Sequence, residues 1–240
     1  MASSNWDYWD ELGTGFVDAV LLLVTFDPET WSIIRQSLLI STTATLAALI
    51  VGAPIGAWIA LSSFRGRSLL LTTFNAGFGL PPVVVGLVMS ILLLRHGPLG
   101  WLNLRFTPAA MMIAQFVLSA PIVINLTAVA IQQLNPKIWM QMKALGASRA
   151  QMLWLIGREI RLPLIGAYMA GFGAVVSEVG ASQMVGGNLP GSTRVLTTAI
   201  VMETGMGHYD RAMALGIVLL LLVAAVVGLL TWFQQRDTPR

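Results

Sequence analysis

The chain has 240 residues, 56% of them hydrophobic and only 10% charged, with no cysteine and a formal net charge of +3. Ordinary soluble domains carry about 25% charged residues, so this chain cannot cover itself with polar surface and takes the bilayer as part of its solvent. A disulfide framework and a thiolate metal site are excluded.

The opening residues, MASSNWDYWDELGTG, are acidic and lack the positive n-region of a cleaved signal, so they are expected to stay in the mature protein. Residues 6–26 read as a helix lying in the membrane interface. Trp9, Leu12, Phe16, Val20 and Leu23 recur at helical spacing, with Asp7, Asp10, Glu11, Thr14 and Asp18 on another face. Asp27 then offers an N-cap and Pro28 the first position of the next helix.

Five stretches are long and apolar enough to span: Ile33–Ser62, Leu69–Leu94, Pro108–Leu134, Leu162–Val185 and Ala212–Phe233. In the first, Gly52 and Gly56 form G-x-x-x-G, a pattern of close helix packing. In the second, Pro81 and Pro82 each remove a helical hydrogen bond, at roughly 3 kcal/mol in a regular helix, and predict a kink. A kink that lines a pathway and one that serves packing both fit.

Between the third and fourth spans lies NPKIWMQMKALGASRAQMLWLIGREIRLP, Asn135 to Pro163. It reads as two helices in tandem. Asn135 caps the first, Pro136 opens it, and Gly146 ends it in the left-handed conformation. Ser148 and Gln151 make a capping box for the second. Ile138, Met142 and Leu145 form one apolar stripe, and Met152, Leu153, Ile156 and Ile160 another. The pattern fits a basic connector resting on anionic lipid and equally a helix pair presented to another protein.

Glu178 falls within the fourth span, where a charged carboxylate costs on the order of 2.5–3.5 kcal/mol at mid-bilayer. A buried hydrogen-bonding role and a gate or pathway role both fit it, the structural one being favoured. MVGGNLPG, Met184 to Gly191, ends this span. Its adjacent glycines, Gly186 and Gly187, leave backbone N–H groups open to a tetrahedral dianion, and they equally fit a helix-ending turn. Arg194 fits an anion-attracting group, a contact for an external partner or, more commonly, a solvated loop arginine. His96 and His208 lie far apart, with no metal-ligand spacing.

With the N-terminus outside, the inner segments carry Arg65, Arg67, Lys137, Lys143, Arg149, Arg158, Arg161, Arg236 and Arg240, nine of the fourteen basic residues. The excess favours N-out and C-in, which puts the helix pair in the cytoplasm. No G-x-x-x-x-G-K-[ST], no G-x-S-x-G and no recognisable triad occur, so the chain itself is not expected to be an enzyme or to bind ATP by a P-loop. Five spans are few to enclose a pathway, which points to a homodimer.

ALGAS followed by an amphipathic helix and IRLP resembles the EAA loop of ABC-importer permeases, the coupling helix that sits in a groove of the ATPase. Gly146 matches the central glycine, and Ile160, Leu162 and Pro163 match the closing I-x-L-P. Two features depart. Met140 stands where an acidic residue is usual, and the distance from Gly146 to Pro163 is four residues longer. Four residues are about one turn, so the same face is kept.

SEVGASQMVGGNLPGSTRVLTTAI, GFGLPPVVVGL, RHGPLG and TTAIVMETGMGHYDRAMALGIVLLLL are similar to molybdate, tungstate and sulfate permeases, most of all to those of tungstate importers. The resemblance implies an all-α membrane protein forming one transmembrane domain over residues 1–240, with a cytoplasmic coupling loop at 135–161. It implies ATPase docking at Lys143, Ala144, Leu145, Gly146, Ala147 and Ser148. Pro81, Pro82, Glu178, Ser182, Gly186, Gly187 and Asn188 become pathway or gate residues.

The implied partners are a second copy, two ATP-binding cassette subunits and an external tungstate-binding protein. The chain itself holds no cofactor, and ATP and Mg belong to the ATPase. The implied location is a bacterial or archaeal cell membrane, the inner one in Gram-negative cells. The implied function is alternating-access import of an oxyanion, tungstate first, with molybdate or sulfate as alternatives. A self-sufficient ion-coupled transporter is the alternative of another class. It predicts repeated halves with matching intramembrane charges. Only Glu178 is found, with no second half echoing the first.

Overall fold

A computed structural model describes residues 17–25 and 27–236, and the described residues contain helices, turns and loops but no strand. The helices are α1 (residues 17–24), α2 (Pro28–Leu61), α3 (Arg67–Ala76), α4 (Pro82–Leu92), α5 (Pro108–Gln132), α6 (Pro136–Ala144), α7 (Arg149–Glu159), α8 (Arg161–Val176), α9 (Gly180–Gly186), α10 (Leu196–Gly205) and α11 (Tyr209–Arg236). Three of them, α2, α5 and α11, are each long and apolar enough to cross a bilayer. Two bent pairs raise the number to as many as five.

The first, third and fifth predicted spans are therefore continuous helices, and the second and fourth are not. In the second, a 3₁₀ turn at Gly77–Gly79 follows α3, and α4 begins at Pro82. Pro82 occupies the first helical position, where no intrahelical donor is required, so the double proline separates two helices instead of bending one. In the fourth, α8 stops at Val176 and α9 starts at Gly180. The bent pair on this stretch joins α7 to α8 at 63°. The sequence reading did not anticipate α10.

Two compact units emerge. One contains the described residues of Met1–Ser41, Pro82–Ala114 and Val176–Gly228. Its core is formed by Ile33, Ile34, Leu196, Ala199, Ala214, Leu215 and Val218, with Ala19 from α1. The N-terminus of α2 is capped as expected: Asp27 accepts from the Thr30 N–H at 2.8 Å and the Thr30 hydroxyl at 2.6 Å. These bonds hold its carboxyl below the usual carboxylate range.

In α1, Leu22 and Leu23 pack on this core, whereas Val17, Val20, Leu21 and Val24 are exposed. Of the predicted stripe, Leu23 packs on the core and Val20 is exposed. The rest of the predicted stripe, Trp9, Leu12 and Phe16, lies outside the described residues.

The other unit contains Thr42–Pro81, Gln115–Val175 and the described part of Leu229–Arg240. Here the G-x-x-x-G pattern packs α2 on α5. A Cβ on Gly56 would strike the Ile124 carbonyl oxygen, and one on Gly52 would lie 3.2 Å from Ile124 Cγ1. Asn125 Nδ2 donates to Asn75 Oδ1 at 2.7 Å, tying α5 to α3. Arg67 donates to the carbonyls of Ile59 and Ala60, closing the C-terminus of α2.

Candidate functional site

The predicted site residues fall into two regions. Lys143 to Ser148 lie in the second unit, at the junction of α6 and α7. Pro82, Glu178, Ser182, Gly186, Gly187 and Asn188 lie in the first, and Pro81 is the last residue of its segment in the second.

Local sequence builds the junction. The Asn135 side chain accepts from the Lys137 N–H at 2.9 Å and starts α6. Gly146 adopts φ +70°, and the Ala147 N–H reaches back to the Met142 carbonyl at 3.1 Å. The capping box closes in both directions: Ser148 N–H donates to Gln151 Oε1 at 2.8 Å, and Gln151 N–H to Ser148 Oγ at 3.3 Å. Both helix ends facing the junction are thus fixed by neighbours within a few residues.

The pair has a buried and an exposed side. Met142, Ile156 and Ile160 are buried with Ala130 and Ile131 of α5, and Ala57 and Ala60 of α2 pack against them. Ile138 and Met152 join from the periphery. Two members of the predicted stripes go the other way, because Leu145 is 85% exposed and Leu153 56%. Met140 and Trp154 are exposed as well, with the Arg158 guanidinium 5.6 Å from the Trp154 ring. Apolar side chains therefore project from both sides of the pair. One side is anchored in the unit and the other is open.

The second region combines local bonds with contacts from distant residues. Glu178 stands in the break between α8 and α9 and is 9% exposed. Its Oε1 accepts from the Ala181 N–H at 2.8 Å, and its carbonyl accepts from the Thr197 hydroxyl at 3.0 Å. Helix α9, where Ser182 is buried, lies against α4 at glycine distance. A Cβ on Gly86 would fall 2.6 Å from Ala181 Cα, and one on Gly180 2.6 Å from Val83 Cγ2. Ser90 adds a hydrogen bond to the Met184 carbonyl at 2.9 Å.

The Gly-Gly turn is closed on itself. Gly187, at φ +70°, caps α9 and donates to the Gln183 carbonyl at 3.0 Å, and Asn188 follows at φ 53°. The Thr193 hydroxyl donates to the Gly186 carbonyl at 2.6 Å and accepts from the Leu189 N–H at 2.9 Å. The Thr198 hydroxyl donates to Asn188 Oδ1 at 2.9 Å. The Gly187 and Leu189 N–H groups are thus already engaged within the protein.

The absence of side chains at both glycines has a packing reason. A Cβ on Gly186 would meet Met111 Sδ at 2.6 Å, and one on Gly187 the Phe106 ring at 2.7 Å. Phe106 itself sits at φ 61°, held by its N–H to the Val185 carbonyl at 2.9 Å, with Arg105 over its ring. A bulky residue in this conformation costs of order 1–3 kcal/mol.

Sequence reasoning missed Phe106, Thr193, Thr197 and Thr198. The run GSTRVLTT carried a weak signal in its density of hydroxyls beside an apolar segment, whereas nothing in the sequence marks Phe106. Arg194 also departs from the solvated-loop expectation. Its side chain is 13% exposed and pairs with Glu29 at 2.8 Å. The same Glu29 receives Arg211 at 2.6 Å. His208 contacts Glu203, and no group of metal ligands exists among the described residues.

Residues 52–238 match the family of binding-protein-dependent transport system inner membrane components. The tungstate uptake system permease protein TupB of Peptoclostridium acidaminophilum is 40% identical over 94% of this chain and 99% of that protein. A probable anion ABC transporter permease protein of Haloferax volcanii is 36% identical over 87% of this chain and 92% of its own length. The molybdenum transport system permease protein ModB of Escherichia coli is more distant, at 27% over 79% and 87%. A bacterial alginate ABC transporter, solved with a pentasaccharide-bound periplasmic protein, shares the fold with a TM-score of 0.73, at 19% identity over 98% of this chain and 89% of its own.

Proposed function

The chain belongs to the family of binding-protein-dependent transport system inner membrane components, and from that premise we propose that it is the membrane-spanning permease of an ATP-driven tungstate importer. Two copies form the pathway, two ATP-binding cassette subunits bind on the cytoplasmic side, and an external binding protein delivers the anion. ATP and Mg reside in the cassette subunits. The N-terminus is outside and the C-terminus inside, as the basic residues favour.

The observation that carries this reading is the two-sided helix pair around Gly146. Leu145, Met140 and Trp154 are exposed on one side, while Met142, Ile156 and Ile160 are sunk among α2 and α5 on the other. A partner that grips the open side moves the second unit's helices with it, because the buried side is packed as a core. Alternating access follows: approach of the cassette subunits draws the two helix pairs together, and the spans rearrange to accept the anion from outside. Tungstate is preferred because the 40% relative and its near full-length match concern a tungstate uptake permease, whereas the molybdenum permease stands at 27%.

Proteoliposomes holding the permease, its cassette subunits, and ATP with Mg on their side test the proposal. Adding the tungstate-loaded binding protein outside should drive uptake, read as tungsten by mass spectrometry. Uptake that persists without the cassette subunits overturns the reading. Calorimetry on the binding protein with tungstate, molybdate and sulfate decides the ion.

A further inference from the structure

We propose that Glu178 is a positioning residue whose carboxylate holds α9 and the Gly186–Asn188 turn together as one body across a broken span. The inference rests on the permease reading above.

The break itself sets the problem. Val176 ends α8 and Gly180 begins α9, so the chain loses helical bonding in a stretch where lipid offers no replacement. Helix α9 has only seven residues and gains little cohesion from its own hydrogen bonds. Its first turn therefore needs acceptors from outside the helix, and Glu178 supplies one at the Ala181 N–H. The same residue's carbonyl receives Thr197, which ties the break to the first turn of α10.

Both ends of the assembly are pinned. The C-terminal half of α9 is bonded to α4 through Ser90 and Met184. The turn beyond it is bonded by Thr193 at Gly186 and by Thr198 at Asn188. Without the carboxylate, the first turn of α9 frays while its far end stays attached. Displacement then dissipates at 177–181 and does not reach the turn.

The role assigned is that of a hydrogen-bond acceptor and not of a charge. A negative charge close to an anion's route opposes entry, whereas an acceptor engaged with the Ala181 N–H serves the fold. This separates Glu178→Gln, whose amide oxygen still accepts, from Glu178→Ala, which has no acceptor.

The test uses the complete transporter in proteoliposomes, measuring tungstate moved per ATP hydrolysed and the KM for loaded binding protein. Glu178→Ala should lower the transport-to-hydrolysis ratio about tenfold with KM unchanged, the scale of losing a cap to a buried donor. Glu178→Gln should stay within about twofold of the parent, because the acceptor is retained. A Gln variant as impaired as the Ala variant overturns the proposal, and so does an Ala variant that couples normally.

If Glu178→Ala fails to assemble, Glu178→Met decides, because it fills nearly the same space without an accepting oxygen. It must lower the coupling ratio, and a Met variant that couples as well as Glu178→Gln overturns the proposal. An unmodified complex without ATP-dependent uptake defeats the permease reading itself, a result distinct from any difference among these variants.

Discussion

The α6–α7 junction and the α9 turn each pivot on a glycine at φ +70°, yet they are held in opposite ways. Around Gly146, a Cβ would meet no atom within 4 Å, and its caps come from Asn135, Ser148 and Gln151, all within eleven residues. Around Gly187, Thr193 and Thr198 tie the turn from equally near in sequence, and the difference is the Phe106 ring and Met111, distant in sequence, packed against its backbone. The first is a rigid element with an open surface, suited to being gripped. The second is a closed knot, suited to moving as one piece. Left-handed glycines thus say that the chain turns, and only their surroundings say what the turn is for.

The same side chain at both glycines separates the two regions most clearly. Gly187→Val combines a β-branched residue at positive φ with collision against Phe106, and should destabilise the protein by about 2–4 kcal/mol. Tryptophan fluorescence during denaturation in detergent would read this, and a loss under about 1 kcal/mol would show that Phe106 yields easily. Thr193→Val comes next. It strands the Leu189 N–H and the Gly186 carbonyl together, at about 1–3 kcal/mol in the same assay.

Gly146→Val should cost about 1–2 kcal/mol, since only the backbone conformation is strained. Its signature is functional: the chain inserts normally, but ATP hydrolysis no longer drives uptake. Substrate-stimulated ATPase activity equal to the parent's would remove the docking role from this junction. Smallest is Ser148→Ala, which opens one half of the capping box for about 1 kcal/mol. It should weaken cassette binding modestly in a pull-down while leaving the Gly187 region's unfolding unchanged. A shift in both would mean that the two regions unfold together.

The legibility of each region follows from these differences. Caps, a proline at the first helical position and a left-handed glycine are short-range devices, so the sequence displays them at fixed offsets, and the junction was read nearly residue by residue. Leu145 and Leu153 share stripes with buried residues yet are exposed, because helical periodicity groups apolar residues without saying which of two faces is covered. The proline pair marks a bend in the second span, but the break in the fourth is hidden, because hydropathy measures greasiness and is blind to whether backbone hydrogen bonds run through. Phe106 left no mark, since its strain and its contact with Gly187 arise only when loop and turn meet.

Composition and short-range pattern already set the solvent, the helical class, the positions of the caps and the resemblance that names the family. These rest on composition and on interactions among residues a few positions apart, which survive in any arrangement of the helices. It took the folded arrangement to bring the Thr197 hydroxyl to the Glu178 carbonyl, to pair Arg194 with Glu29 and to set Phe106 against the glycine turn. Those outcomes depend on hydrogen bonds and contacts reaching across as many as 165 positions, as between Arg194 and Glu29. Desolvation forces each buried polar group to find a partner, but which partner it finds is fixed only by where the chain has been folded to bring one.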